Sequence, residues 1–166
     1  MITAEKARDV LEYCQQTGVL RWRVDRGPVK AGQIAGNARP DGYRQLTING
    51  KAYLAHRVVW LLVRGEWPNI EIDHINGNKS DNRIENLRDV AKSVNLQNQF
   101  RPHKHNRFSK YMGVSWDRER NKWRASLTLG GKNIKIGRFA TEEAAHKAYL
   151  VAKARLHEGY VERAPT

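Results

Sequence analysis

The chain has 166 residues, enough for one domain or two small ones at the usual length of roughly 100 to 200 residues per domain, which excludes a large multi-domain enzyme. Lys plus Arg number 30 against 17 Asp plus Glu, a formal charge of +13 with a sequence pI near 10.2, so a polyanionic partner is expected and nucleic acid leads the candidates. The longest apolar run, Val58 to Val63, is far short of the ~20 residues that span a bilayer, and the N-terminus MITAEKARDVLEY lacks the apolar core of a secretion signal. An intracellular protein with no membrane span is expected.

Cys14 is the only cysteine, so neither an intrachain disulfide nor a cysteine-built zinc ribbon can form. Five Trp and six Tyr are therefore expected to carry much of the packing. Residues 1–100 hold 15 basic and 11 acidic side chains, net +4, whereas 101–166 hold 15 and 6, net +9. Between the two lies FRPHKHNRFSK, Phe100 to Lys110, rich in cations and without helical or strand period. It marks a basic linker at 101–110 between modules at 1–100 and 111–166. Its His103 and His105 have no third ligand beside them and read as solvated side chains.

After a Thr3 cap, Ala7, Val10, Leu11 and Cys14 recur at three- and four-residue spacing, which predicts an amphipathic helix over Thr3–Gln16 ended by Gly18. Leu20, Trp22 and Val24 alternate with Arg21 and Arg23 as in a small strand. Asn49-Gly50, flanked by YRQLTI and KAYLA, is the strongest hairpin signal in the chain. The segment Ala55 to Arg64, closed by Gly65 with Pro68 beyond, predicts a short buried helix.

The stretch EIDHINGNKSDNRIENLRDVAKSVNLQNQ, Glu71 to Gln99, carries the chemistry. Ile70 and Ile72 lead into Asp73-His74, an Asn-, Ser- and Asp-rich loop follows, Leu87 to Val90 reads as a second strand and Ala91 to Gln99 as a helix. Asp73-His74, with Asn86 twelve residues on and Asn95 nine further, resembles the HNH nuclease motif, the ββα-metal site, in the form found in phage and intron homing endonucleases. The resemblance implies His74 as general base, Asp73 and Asn95 as metal ligands, and Asn86 as the residue that fixes the loop orienting His74. Ala91 and Val94 depart from that family, standing where a Thr and a Glu usually form a capping box, at a cost of about 0.5–2 kcal/mol of local helix stability.

Physical chemistry agrees with this reading. Phosphodiester cleavage needs a base for water and a cation for the charge that builds on the phosphate and the leaving oxygen. Neighbouring strand residues point to opposite faces, so Asp73 and His74 are expected to flank a phosphate rather than converge on one atom. Two protein oxygens with phosphate and water suit a hard ion, Mg²⁺ or Mn²⁺, better than zinc. Taken singly, an Asp-His pair is most often a turn or a surface hydrogen bond, and an Asn-rich loop most often a set of turns. His56-Arg57 resembles a pair common in this phage group, with a DNA-facing or site-supporting role; a buried or capping histidine is the reading preferred here.

In the last third, YMGVSWD, KWRASLTL and KNIKIGRF are short alternating runs separated by Arg120-Asn121 and Gly130-Gly131, which predicts three antiparallel strands. A helix follows, capped by Thr141, with Glu142 and Glu143 in its first turn and an apolar stripe of Ala144, Ala145, Ala148, Tyr149, Ala152 and Leu156 up to Gly159. Residues 111–159 resemble the Apetala/ERF-type DNA-binding domain, whose three-stranded sheet lies in the major groove. That resemblance implies that exposed strand positions offer Trp116, Arg118, Arg120, Lys122, Arg124, Lys135 and Arg138 to DNA. A run of charges is usually only a solvated face, but cations on one sheet face with few acids favour DNA.

The expected fold class is α+β: an HNH ββα-metal module followed by a three-stranded antiparallel sheet packed on one helix. The expected function is a metal-dependent DNA endonuclease that nicks or cuts duplex DNA, using Mg²⁺ or Mn²⁺. The alternatives are a non-catalytic sequence-specific or architectural DNA-binding protein and, with less support, an RNA-binding protein. No segment marks an obligatory protein partner, and dimerisation stays open.

Overall fold

The first helix is shorter than its apolar spacing predicts. Thr3 caps it as expected, its hydroxyl oxygen accepting the Lys6 amide, but α1 spans only Ala4–Val10. The chain continues as a strand, β1 (Leu11–Cys14), paired antiparallel with β2 (Val19–Trp22). Two elements in series thus satisfy one apolar spacing, Ala7 being buried from the helix and Leu11 from the strand. Gly18, at φ +72°, belongs to the turn of this hairpin.

The computed structural model describes residues 1–99 and 109–162. The chain divides into two compact units, Met1–Asn95 and a second from Leu96 onward. In the first, β3 (Asn37–Ala38), β4 (Arg44–Ile48) and β5 (Lys51–Leu54) form an antiparallel sheet in that order. Asn49 and Gly50 join β4 to β5 with φ +51° and +75°, both left-handed, as a two-residue type I′ turn requires. Next comes α2 (Ala55–Arg64), which has no side-chain cap and ends at Gly65 with φ +83°. Its stability comes from burial, since Val58, Val59, Leu61 and Leu62 all face the core and each such side chain contributes about 1.5–3 kcal/mol.

Strand β6 (Glu71–His74), a 3₁₀ turn (Ile84–Asn86), β7 (Leu87–Val90) and α3 (Lys92–Gln97) follow in the expected order. Ile72 and Leu87 tie the β6–β7 hairpin to the same core as α2. Helix α3 is shorter than the predicted 91–99. It begins with the Ala91 carbonyl accepting the Val94 and Asn95 amides, and neither Ala91 nor Val94 has a polar side chain with which to build a capping box.

The second unit is a sheet in the order β10-β9-β8, made of β8 (Val114–Asp117), β9 (Lys122–Leu129) and β10 (Lys132–Phe139), with α4 (Glu142–Leu156) across one face. Both predicted turns carry left-handed residues, Asn121 in one and Gly130 and Gly131 in the other. Thr141 caps α4 by accepting the Ala144 amide. The buried stripe of α4 differs from the predicted one: it runs through Ala145, Tyr149 and Lys153, whereas Ala144 and Leu156 are exposed. Lys153 can be buried because the Gln99 carbonyl accepts from its ammonium, which also lies over the Tyr149 and Tyr160 rings.

Most of the expected linker, including His103 and His105, lies outside the described residues. Its last two residues belong to the second unit, where Glu142 Oε1 accepts from the Ser109 hydroxyl (2.6 Å) and the Lys110 amide (3.1 Å). Among the described residues no helix is long and apolar enough to cross a membrane.

Candidate active site and nucleic-acid interface

The β6–β7 register sets the site. Asp73 stands opposite Arg88 and His74 opposite Leu87, so the two neighbours point to opposite faces, as strand geometry predicts. His74 turns into the first unit and is only 3% exposed. Its Nε2 lies 3.0 Å from Asn82 Oδ1. An amide oxygen only accepts, so Nε2 carries the ring proton and Nδ1 is the basic nitrogen of the neutral ring. Burial keeps the His74 pKa below the ordinary imidazole value, against the hydrogen bond it donates to Asn82 and the charge of Asp73, which act to raise it. The ring is therefore in its proton-accepting form at neutral pH.

Two further rings pack against it. His56, the first full turn of α2, meets His74 edge-on with centroids 5.1 Å apart, and Tyr43 lies 5.1 Å from His56 and 5.9 Å from His74. His56 is buried, as the sequence reading preferred, and it also supports the site. Lys79 lies 4.4 Å over the Tyr43 ring and donates to the Asp41 carbonyl.

The loop between the strands is braced by Asn86. Its Oδ1 accepts the Asn76 amide at 2.8 Å, and its Nδ2 donates to the Asp81 carbonyl at 2.8 Å. Asp81 in turn accepts from Asn76 and Arg83, and the Arg83 guanidinium holds its carboxyl down at about 2. Asn86 thus closes the loop, while Asn82 touches the histidine itself.

Glu71 and Asp73 share the other face of β6. Arg88 donates to Asp73 Oδ2 through Nε (2.9 Å) and Nη2 (2.7 Å). From α3, Asn95 Nδ2 donates to Glu71 Oε2 at 2.8 Å, which brings the two expected metal residues to one side of the hairpin. The donors there are carboxylate and amide oxygens, which suit a hard cation better than zinc. Among the described residues no three His, Cys, Asp or Glu cluster as a metal centre.

In the second unit the face of the sheet away from α4 gathers most of the expected DNA residues. Ala125 and Leu127 of β9 face the core, so Lys122 and Arg124 face outward, with Ser126 and Thr128. Lys135 pairs with Ser126 and Arg138 with Arg124, which adds two cations to the same face. Arg138 reaches it through a β-bulge: Ile136 has no partner between Lys135 and Gly137, and unbroken alternation would have turned Arg138 toward α4. Arg138 Nε donates to Asp117 Oδ2 at 2.7 Å, and Arg124 Nε to the Ser115 hydroxyl at 3.2 Å. Arg118 and Arg120 are exposed in the β8–β9 turn at one end of the face. Trp116 is the exception. It pairs with Trp123, ring centroids 5.0 Å apart, on the side of Val114 and Ala125, because directly opposed residues in a ladder share a face.

Residues 53–97 match the family model of HNH endonucleases, and residues 109–158 match that of the AP2 domain. Protein 3.8 of Escherichia phage T7 is 36% identical over 83 residues, which are 49% of this chain and 67% of that protein. The chain belongs to the HNH endonuclease family. It carries an AP2 domain after the HNH segment. A solved structure of the HNH homing endonuclease I-HmuI, reported for DNA binding and cleavage, is similar at 27% identity with a TM-score of 0.40. That similarity covers 54% of this chain and 51% of the other, so the chain spans about half the length of that relative.

Membership gives the protein a DNA nuclease or DNA-binding role. Within the HNH unit, the motif spacing led to Asp73, His74, Asn86 and Asn95, but four residues that touch them went unread: Asn82, Tyr43, Arg88 and Glu71. For Asn82 the signal was present in the doubled asparagines of the DNRIEN segment. For Arg88 it was the strand register, which a chain without a known loop geometry does not disclose.

His56 gives the HNH unit a measurable acid sensitivity. Burial, with His74 and Arg57 adding charge repulsion, pushes its pKa from 6.5 down to about 3. The unfolded chain takes up this proton near its ordinary value and the folded one does not. Stability from His56 is therefore complete above pH 6.5 and is lost as pH falls toward 3, at up to about 1.4 kcal/mol per pH unit. Urea denaturation at about pH 7.5 and pH 5 should show a loss of roughly 1–2 kcal/mol, to which His74 adds in the same direction. His56→Phe should lose less over that interval, and an equal loss in the two proteins would show that His56 is not responsible.

Proposed function

We propose that the protein is a divalent-metal-dependent DNA endonuclease, with His74 as the general base and Asn86 as the brace of the loop around it. The observation that carries this reading is the buried imidazole of His74, its Nε2 3.0 Å from Asn82 Oδ1, on a strand whose opposite face carries Asp73. Asp73 and Asn95 would hold Mg²⁺ or Mn²⁺, which when bound stabilises charge on the phosphate and the leaving oxygen. His74 Nδ1 takes a proton from water. The water oxygen bonds to phosphorus while the bond to the leaving oxygen breaks, and that oxygen is then protonated from solvent. Asn82 and the Tyr43 and His56 rings keep the imidazole from turning, so the base nitrogen is in place before the substrate arrives.

The AP2 unit is proposed to hold duplex DNA against Lys122, Arg124, Lys135 and Arg138, with Arg118 and Arg120 at the turn. Such cations set affinity through the phosphates more than they read bases. Replacing Arg124 and Arg138 by Gln should lower the slope of log affinity against log salt by about 2. An unchanged slope by fluorescence anisotropy would remove this face from the interface.

Supercoiled plasmid incubated with the protein and Mg²⁺ should become relaxed or linear, and a matched EDTA lane should stay supercoiled. The ratio of relaxed to linear product then separates nicking from double-strand cutting. One observation favours a second reading, a DNA clamp without catalysis: Asp73 is already neutralised by Arg88. Retarded but uncut DNA with Mg²⁺ and Mn²⁺ alike, over varied sequences, would select that reading and reject the nuclease.

A further inference from the structure

The Asp73–Arg88 pair does more than close a hairpin. The two residues stand directly opposite in the β6–β7 ladder, and Arg88 places two donors on one carboxylate oxygen. The pair is largely withdrawn from water, with side-chain exposures of 24% for Arg88 and 8% for Asp73. A carboxylate buried to this degree needs a compensating charge, and a guanidinium cannot supply neutrality by losing its proton. Arg88 therefore carries a permanent positive charge at the carboxylate where the proposed function puts a divalent ion.

We infer that Arg88 is the resident counter-charge of Asp73, which a divalent ion must displace, so that this arginine sets the ion affinity of the site. The inference rests on the metal-site reading above. Guanidinium and metal ion compete for the lone pairs of the same carboxylate, and the positive charge of one opposes the approach of the other. The exchange keeps Asp73 compensated in both states. It also separates two roles with opposite signs. If Arg88 served only to hold Asp73 in position, its loss would loosen a ligand and weaken ion binding. If it is the counter-charge, its loss removes a competing cation from Asp73 and strengthens ion binding.

Mn²⁺ binding to the full chain without DNA, read from the EPR signal of free Mn²⁺, distinguishes these. Arg88→Gln is expected to bind Mn²⁺ roughly tenfold more tightly than the wild type, Arg88→Lys to fall between them, and Asp73→Asn to lose the site. Unchanged or weaker binding by folded Arg88→Gln, with Asp73→Asn still losing the site, overturns the inference alone. Equal binding by wild type and Asp73→Asn overturns the metal-site reading itself. Should Arg88→Gln not fold, the wild type decides: the Arg88 Nε–Hε NMR signal is expected to shift and lose exchange protection as Mg²⁺ saturates. A signal that stays protected at saturation overturns the inference.

Discussion

Replacement of His74 by alanine is expected to slow plasmid cleavage by roughly 10²- to 10⁴-fold, the range that a positioned general base contributes, while leaving DNA retention in a gel unchanged. The separation follows from where the residue sits. His74 is buried in the HNH unit beside Asn82, His56 and Tyr43, whereas the cations proposed to hold DNA are on the AP2 sheet. Removing the ring leaves a cavity and an unpaired Asn82 oxygen, so the variant needs its own melting curve, with a cost of about 1–3 kcal/mol for the lost hydrogen bond. Cleavage that persists at the wild-type rate in a folded His74→Ala protein would assign the base elsewhere. Cleavage and DNA retention lost together would point to a folding defect rather than to chemistry.

Gly113→Ala is expected to be the most damaging small substitution in the AP2 unit. A Cβ at this position would lie 2.1 and 2.2 Å from two carbons of the Tyr149 ring, and the backbone stands at φ +74°, where an L side chain is strained. The ring is 4% exposed and is the anchor of α4 in the second core, so it has nowhere to move. Overpacking and backbone strain together cost roughly 2–6 kcal/mol, a large share of the 5–15 kcal/mol that holds a typical domain. Gly131→Ala is the control. It has a similar φ of +78° but no heavy atom within 4 Å of the added carbon, so only the conformational cost of about 1 kcal/mol applies. Hydrogen exchange of the β8–β10 amides, followed beside those of β4 and β5, should show faster exchange confined to the AP2 unit. Equal effects of the two glycine variants would show that Tyr149 yields.

The parts of this protein that could be read from its sequence are those fixed by local chemistry. Asn49-Gly50 and Gly130-Gly131 demand left-handed turns, and both hairpins are where those pairs put them. Thr3 and Thr141 begin the helices they were expected to begin. What escaped depends on pairing across space. Spacings of three and four residues suited a long first helix, but Leu11 and Tyr13 gain more by pairing with Trp22 and Leu20 in a hairpin. Trp116 stands between Ser115 and Asp117 in the manner of an exposed aromatic, but its place two residues after buried Val114 and opposite Trp123 puts it on the helix side. Lys153 breaks the apolar stripe of α4 because the Gln99 carbonyl and the Tyr160 ring from outside the helix, with the Tyr149 ring one turn before it, receive its charge. In the HNH segment the spacing of Asp73, His74, Asn86 and Asn95 was legible, but the contacts of Arg88 and Asn82 arise from the return path of the loop.

The unpaired Ile136 makes β10 one residue longer than the ladder beside it requires. In an ordinary strand, deleting a residue sends every side chain beyond the cut to the opposite face. Here the loss of Ile136 would let Lys135 and Gly137 occupy successive rungs, and Lys135 and Arg138 would keep their outward orientation. The deletion would remove the local bend and leave the arrangement of charge intact. Strand β10 therefore holds a residue that the ladder does not need, and because Ile136 also packs against the core of this unit, a shortened chain would give up curvature and that packing but not its cationic surface.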